Sequence, residues 1–375
     1  MQKKAHAPDS ILLGLCITLL FAGIFILASV SAAFSLQKTG STFFFLNHQL
    51  LFGLLPGLFL ATIAYFTPIG TIKKWSVFAL LLSILALGLV FIPGIGGTLG
   101  GATRWLSLGP ITFQPSEFLK IGFILYLASW LTARMQKQPS LRKQGWISES
   151  AQTLLIFGII ISVLGLLLIL QPDIGTLGVI GIISVLMYFS ASTPLWHTLF
   201  LIGSGLGALI VLIQLAPYRI SRVAVFLNPS LDPLGQGYQL KQALIGIGSG
   251  GLFGVGFGLS LQKFGILPEP ISDSVFAVFA EEAGFIGAVL LILLFLAFAW
   301  RSITIAKRIQ DPFGKLVIIG ITSWITIQAF VNIGSMLGLL PLTGIPLPFI
   351  SYGGSALIAE LIGLGVLLNI SRYTR

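Results

Sequence analysis

Charge is the scarcest thing in this chain. Only 9% of its 375 residues are Asp, Glu, Lys or Arg, against 56% hydrophobic, and mean hydropathy is +1.01. That balance excludes a water-soluble globular domain. Cysteine is rarer still: Cys16 stands alone, which excludes an internal disulfide and a cysteine-based metal site. Histidine occurs three times, as His6, His48 and His197, scattered over a tail, a span and a turn. His48 reads as a polar helix contact rather than a metal ligand.

What is present is a series of apolar runs. A helix needs about 20 residues to cross roughly 30 Å of hydrocarbon at 1.5 Å per residue. Runs of that kind lie at 10 to 34, 43 to 66, 75 to 93, 115 to 133, 151 to 170, 174 to 192, 198 to 216, 275 to 300, 315 to 338 and 354 to 370. The expected fold is therefore an all-α integral membrane protein of about ten transmembrane helices. It forms one multi-pass domain over residues 1–375, with a large loop between helices 7 and 8 at about 217–274. The first run is longer than a signal-peptide core of 7 to 15 residues, so it reads as an uncleaved span.

Lys and Arg prefer the cytoplasmic connections. With the N-terminus inside, the inner side collects Lys3, Lys4, Lys73, Lys74, Arg134, Lys137, Arg142, Lys143, Arg301, Lys307, Arg308, Lys315, Arg372 and Arg375, which is 14 of the 21 basic residues. An even number of spans then puts both termini in the cytoplasm and the long loop outside. The net charge of +10 is mostly topological, and a nucleic-acid partner is a poor explanation for it.

Polar residues inside or beside apolar spans are costly and need a reason. In the first outer loop, Arg104 and Trp105 set a cation beside an interfacial aromatic, which also suits a loop anchored at headgroup level. Glu117 and Lys120 follow at a helix start, three apart, and can pair on one helix face. Gln171, Pro172, Asp173 and Gly175 interrupt the next apolar stretch, where Asp173 can cap the following helix. Arg219 and Arg222, spaced i, i+3, would point two guanidiniums one way on a helix. That geometry suits phosphate oxygens and equally suits lipid headgroups. The stretch GYQLKQALIGIGSGGLFGVGFGLSLQK reads as a re-entrant or surface-lying helix and a glycine-rich turn. Its GVGFG lacks the βαβ setting of a nucleotide loop.

Asp273 stands just before the eighth span. It could cap that helix, but Ser272 could serve too. Glu281 and Glu282 lie eight and nine residues on, about 12 Å deeper, and at least one must meet a basic partner or a polar cavity. In the last outer connection, Pro341, Pro346 and Pro348 stiffen the chain, and Ser351 and Tyr352 place two hydroxyls near the outer face.

These segments, in order and over essentially the whole chain, resemble the SEDS family of bacterial cell elongation, division and sporulation. The resemblance is carried by RWLSLG with QPSEFLK at 104 to 120, QPDIGT at 171 to 176, and YRISR at 218 to 222. It continues through GYQLKQ, GLSLQKFGILPE, the Asp273 segment with FAEEAGFIG, and PLTGIPLPFISYGGS. GLSLQKFGILPE and NPSLDPLGQGYQ are more similar to the division branch, FtsW, than to the elongation branch, RodA. Thr103 stands where a second arginine is common, Ser274 where Phe is frequent, and Ala356 interrupts a serine run.

The resemblance implies a GT-C-like peptidoglycan glycosyltransferase of the bacterial cytoplasmic membrane that polymerises lipid II, its undecaprenyl-diphosphate-linked substrate, at the outer or periplasmic face. It implies Asp273 as catalytic base. Arg104, Glu117, Lys120, Arg219, Arg222, Gln239, Lys263, Ser351 and Tyr352 would be substrate contacts, with Asp173, Glu281 and Glu282 as supports. A divalent cation, Mg or Mn, would be compatible with the departing diphosphate. Expected partners are a class B penicillin-binding protein acting as transpeptidase, with divisome or elongasome proteins. Two alternatives remain open at this stage, a flippase for the same lipid and a scaffold that recruits the transpeptidase.

Overall fold

The structure, a computed structural model, describes residues 6–99, 102–108, 111–141 and 146–374. Lys3, Lys4, Arg142, Lys143 and Arg375, counted above on the inner side, lie outside the described residues. Helix α1 is Ser10–Thr39, α2 is Phe44–Phe66 and α3 is Ile69–Leu89. Next come α4 (Pro115–Leu141), α5 (Trp146–Leu170), α6 (Ile174–Ser190) and α7 (Leu195–Gln214). The long loop carries α8 (Pro217–Leu227) and α9 (Gln236–Ser249), and α10 (Val275–Arg308), α11 (Pro312–Met336) and α12 (Gly354–Ser371) close the chain.

Among the described residues, nine helices are long and apolar enough to cross a membrane, and α6 is a shorter apolar helix of 17 residues. That matches the ten expected spans, with α6 at the short end of what can span. His6 N–H donates to the Arg372 carbonyl at 3.1 Å, and Asp9 N–H to Ser371 Oγ at 3.2 Å, so the two ends of the chain meet at one face of the bundle. There Arg301 grips Asp9 through two bonds of 2.9 and 2.5 Å, a bidentate geometry that favours arginine. The other side chains sort as a bilayer demands. Trp324, Phe123, Phe276, Phe295 and Phe298 fill the interior, while Phe21, Phe59, Phe66 and Trp300 face outward.

Two features depart from a plain helical bundle. The first outer loop folds into a small antiparallel sheet, β1 (Gly96–Leu99), β2 (Ala102–Leu108) and β3 (Ile111–Phe113), in that order. These strands are too short and glycine-rich to show a period-2 pattern in sequence. The second is a break in α10 at Gly284, whose φ is +69°. The carbonyls freed there accept from Val255 and Gly256, at 3.0 Å for Glu281 and 3.1 Å for Glu282. Phe285 and Ile286 N–H donate to Gly251 and Leu252 at 2.8 and 3.2 Å. Residues 251–256 thus lie against the break and satisfy it, which is how irregular backbone is tolerated at membrane depth.

Candidate active site

Asp273 ends a strap that begins at Pro268, and the strap is tied at nearly every residue. Ser274 Oγ donates to the Pro268 carbonyl at 2.9 Å, and Gln239 Nε2 from α9 donates to Ser274 Oγ at 3.0 Å. Ser351 Oγ donates to the Ser272 carbonyl at 2.6 Å, and Tyr352 N–H to the Ile271 carbonyl at 2.8 Å. Asn332 Nδ2 donates to the carbonyl of Asp273 itself at 2.8 Å. The Asp273 carboxylate, in contrast, has no hydrogen bond among the described residues. The N-cap of α10 is Ser274, without a side-chain capping bond, so capping does not explain Asp273.

Charges surround that half-buried carboxylate. Its pKa is raised from 3.8 to about 6, by burial first and then by the nearby Glu269, against the opposing pull of Arg222 and Arg104. Arg104 on β2 donates through Nε to the Gln171 carbonyl at 3.2 Å and through Nη2 to the Pro172 carbonyl, which pins the sheet to the Gln-Pro-Asp turn. Asp173 caps α6 by accepting from Thr176 N–H at 3.2 Å, and its other oxygen is buried without a partner among the described residues. Arg222 on α8 reaches the Leu342 carbonyl at 3.4 Å, while its Nε is buried and has no partner among the described residues. Its pKa is lowered, by burial first and then by Arg104.

The i, i+3 arginines fall on one helix, both near the Tyr218 ring, and they reach different carbonyls. Arg219 lies 5.2 Å and Arg222 6.0 Å from the ring centroid, and Arg219 turns back to the Leu212 carbonyl at 2.7 Å. Gly344 completes the wall. Its φ is +70°, and a Cβ there would stand 3.4 Å from Asp273 Oδ2, so the loop passes close beside the carboxylate.

Other expected contacts are occupied elsewhere. Lys263 is buried and paired with Glu282 at 2.7 Å. Glu282 also accepts from Ser29 Oγ at 2.6 Å and Gly258 N–H at 3.0 Å. Glu281 accepts from Ser260 Oγ, and from Leu261 and Gln262 N–H at 3.2 and 3.4 Å. Both acids therefore hold residues 258–263 against the broken helix. Glu117 and Lys120 pair at 2.8 Å, 2% and 1% exposed. Ser351, Tyr352 and Gln239 serve as tethers, and the Tyr352 hydroxyl shares a 2.9 Å bond with His48 Nδ1. Sequence reading passed over Asn332 and Gln328, although each is a polar residue in an apolar run. Among the described residues no three or more His, Cys, Asp or Glu side chains gather as a metal site.

The family model FTSW_RODA_SPOVE, described as cell cycle protein, matches residues 10–375. The chain belongs to this family. Stage V sporulation protein E of Bacillus subtilis is 41% identical over 378 residues, covering 100% of both chains. A Coxiella burnetii protein named "Probable peptidoglycan glycosyltransferase FtsW" is 39% identical over 381 residues, again covering 100% of both. Among solved structures, a chain described under "Structural coordination of polymerization and crosslinking by a peptidoglycan synthase complex" aligns with TM-score 0.76 and 31% identity over 98% of each chain. Rod shape determining protein RodA of Thermus thermophilus aligns with TM-score 0.69 and 29% identity, over 98% of this chain and 97% of that one. The FtsW/RodA/SpoVE fold and its multi-pass membrane character are thus those of this chain.

Proposed function

We propose that this FtsW/RodA/SpoVE protein is a peptidoglycan glycosyltransferase that extends glycan strands from lipid II at the outer face of the cytoplasmic membrane. The observation that carries the reading is Asp273, a strapped carboxylate with no hydrogen bond of its own among the described residues, set beside Arg104 and Arg222. A carboxylate with a pKa near 6 is a suitable base at neutral pH.

The reaction follows from these groups. Asp273 takes the proton of the acceptor's GlcNAc C4 hydroxyl as that oxygen bonds to the donor's anomeric carbon. The bond from that carbon to the diphosphate oxygen breaks, and the electron pair leaves with the lipid diphosphate. Arg222, whose Nε has no partner among the described residues, and Arg104 supply positive charge to the departing oxygens. A single displacement inverts the anomeric carbon. Burial and a neighbouring acid raise the base strength of Asp273, and the arginines limit that rise.

Transport of the same lipid is disfavoured by the deep charges. Lys120 and Lys263 are each buried and paired with a glutamate, so neither is a free charge for a passing anion. The inner placement of both termini and the outer placement of the 217–274 loop follow from the distribution of Lys and Arg. A class B penicillin-binding protein is the expected transpeptidase partner, since the similar synthase complex is described as coordinating polymerisation with crosslinking.

The test uses the full-length protein with its cognate transpeptidase inactivated for crosslinking, given labelled lipid II and resolved for glycan strands on a gel. Polymer from the wild type and none from a folded Asp273→Ala variant is expected. Equal polymer from both would remove Asp273 from the chemistry, and none from either would favour transport or scaffolding.

A further inference from the structure

Helix α11 carries Trp324, Gln328 and Asn332 at successive i, i+4 positions, so all three share one face. Each is at most 1% exposed. Trp324 Nε1 and Lys120 Nζ both donate to Gln328 Oε1, at 2.8 and 2.7 Å. Gln328 Nε2 donates to the Pro346 carbonyl at 3.1 Å. One turn further along, Asn332 Nδ2 donates to the Ile345 carbonyl and to the Asp273 carbonyl, both at 2.8 Å. Polar contacts thus link the buried Glu117–Lys120 pair to the Pro346 carbonyl, and Asn332 links the neighbouring Ile345 carbonyl to the main chain of Asp273.

Asn332 is the link where two segments meet. One is the strap that bears the carboxylate. The other is the proline-rich loop, whose Gly344, adjacent to Ile345, lies close beside the carboxylate. A primary amide offers two N–H groups to two carbonyls from one nitrogen without carrying a charge. The opposite amide orientation would set Asn332 Oδ1 against both carbonyl oxygens, so the donors must face them. Asn332 Oδ1 is itself buried and unpaired among the described residues, a cost an apolar side chain would avoid.

We propose that Asn332 is a positioning residue for glycosyl transfer: its amide fixes the strap and the facing loop together, and so sets where the Asp273 carboxylate meets the acceptor hydroxyl. This rests on the reading of Asp273 as the base. Asn332 touches no reacting atom. Its effect is on alignment, where a displacement of about 1 Å can cost about 10²-fold in rate.

The test is steady-state polymerisation of labelled lipid II by the full-length protein, comparing wild type with Asn332→Ala, Asn332→Asp and Asn332→Ser, alongside thermal melting. Asn332→Ala and Asn332→Asp should each lose about 10²-fold in kcat with KM within about threefold. In Asn332→Ala, and less so in Asn332→Ser, the acid limb of the pH–rate profile should move, although Glu269, Arg222 and Arg104, the charged groups around Asp273, are unchanged. Asn332→Ser keeps a single donor and should fall between. If the first two variants fail to fold, Asn332→Ser carries the same decision. A kcat within about threefold of wild type in folded variants, or a loss that only tracks melting with an unmoved profile, overturns the proposal. Wild-type protein that forms no polymer overturns the activity reading and Asn332's role with it. Wild-type polymer with active Asn332 variants overturns the positioning role alone.

Discussion

Lowering the pH from about 7 to about 5 should cut strand extension about tenfold, because the base sits near pKa 6. A carboxylate of that pKa is about nine-tenths ionised at pH ~7 and about one-tenth at pH ~5. An ordinary aspartate, near pKa ~3.9, would lose less than about a tenth of its ionised form over the same range. The sign follows from the direction of the shift. Burial and Glu269 push the Asp273 pKa up, so the active, ionised form is lost as pH falls through about 6. Two variants test the cause. Glu269→Gln removes a negative neighbour and should move the limb to lower pH. Arg222→Gln removes a positive one and should move it higher. Initial rates of polymer formation from labelled lipid II, at saturating and at low substrate, read both kcat and kcat/KM across the range. A flat profile between about pH 7 and 5, or limbs that move the same way in both variants, would refute this account of the Asp273 environment.

Two further outcomes follow from the packing. Lys263→Met strands the Glu282 carboxylate in a buried site, and losing one member of such a pair costs about 3–5 kcal/mol. It should lower the melting temperature of the purified protein clearly, and a variant that melts with wild type would show the pair to be dispensable. Gly284→Ala imposes a side chain at φ +69°, with its Cβ placed 2.2 Å from Gly254 N. The backbone strain alone is about 1–3 kcal/mol, so folded yield should drop and protease cleavage near residues 251–256 should rise. Unchanged yield and cleavage would mean that the break is not needed.

The spans were legible because each depends on a local run of apolar residues, and Asp9, Asp173 and Asp311 then mark helix starts by the side-chain caps they make. Residue types that cannot be left in lipid were legible too, which is why Glu117, Lys120, Glu281 and Glu282 stood out before any fold was known. Their partners were not. Lys263 lies in a loop that reads as outer and polar, yet it is buried against Glu282 nineteen residues on. The break at Gly284 was hidden for a similar reason: FAEEAGFIG reads as uninterrupted helix, and the strands of backbone that satisfy it come from residues 251–256. Asn332 was visible as a lone amide in an apolar run, but its purpose depends on two carbonyls 59 and 13 residues away. Side chains whose role is tertiary give no periodic signal.

The central claim is that the Asp273 carboxylate removes the acceptor's proton, and the isosteric Asp273→Asn variant addresses it most directly. Its kcat for lipid II polymerisation should fall by at least about 10²-fold while lipid II binding, measured separately on the folded protein, stays within a few-fold of wild type. Polymer made at the wild-type rate, or a defect confined to binding with kcat intact, would contradict the claim.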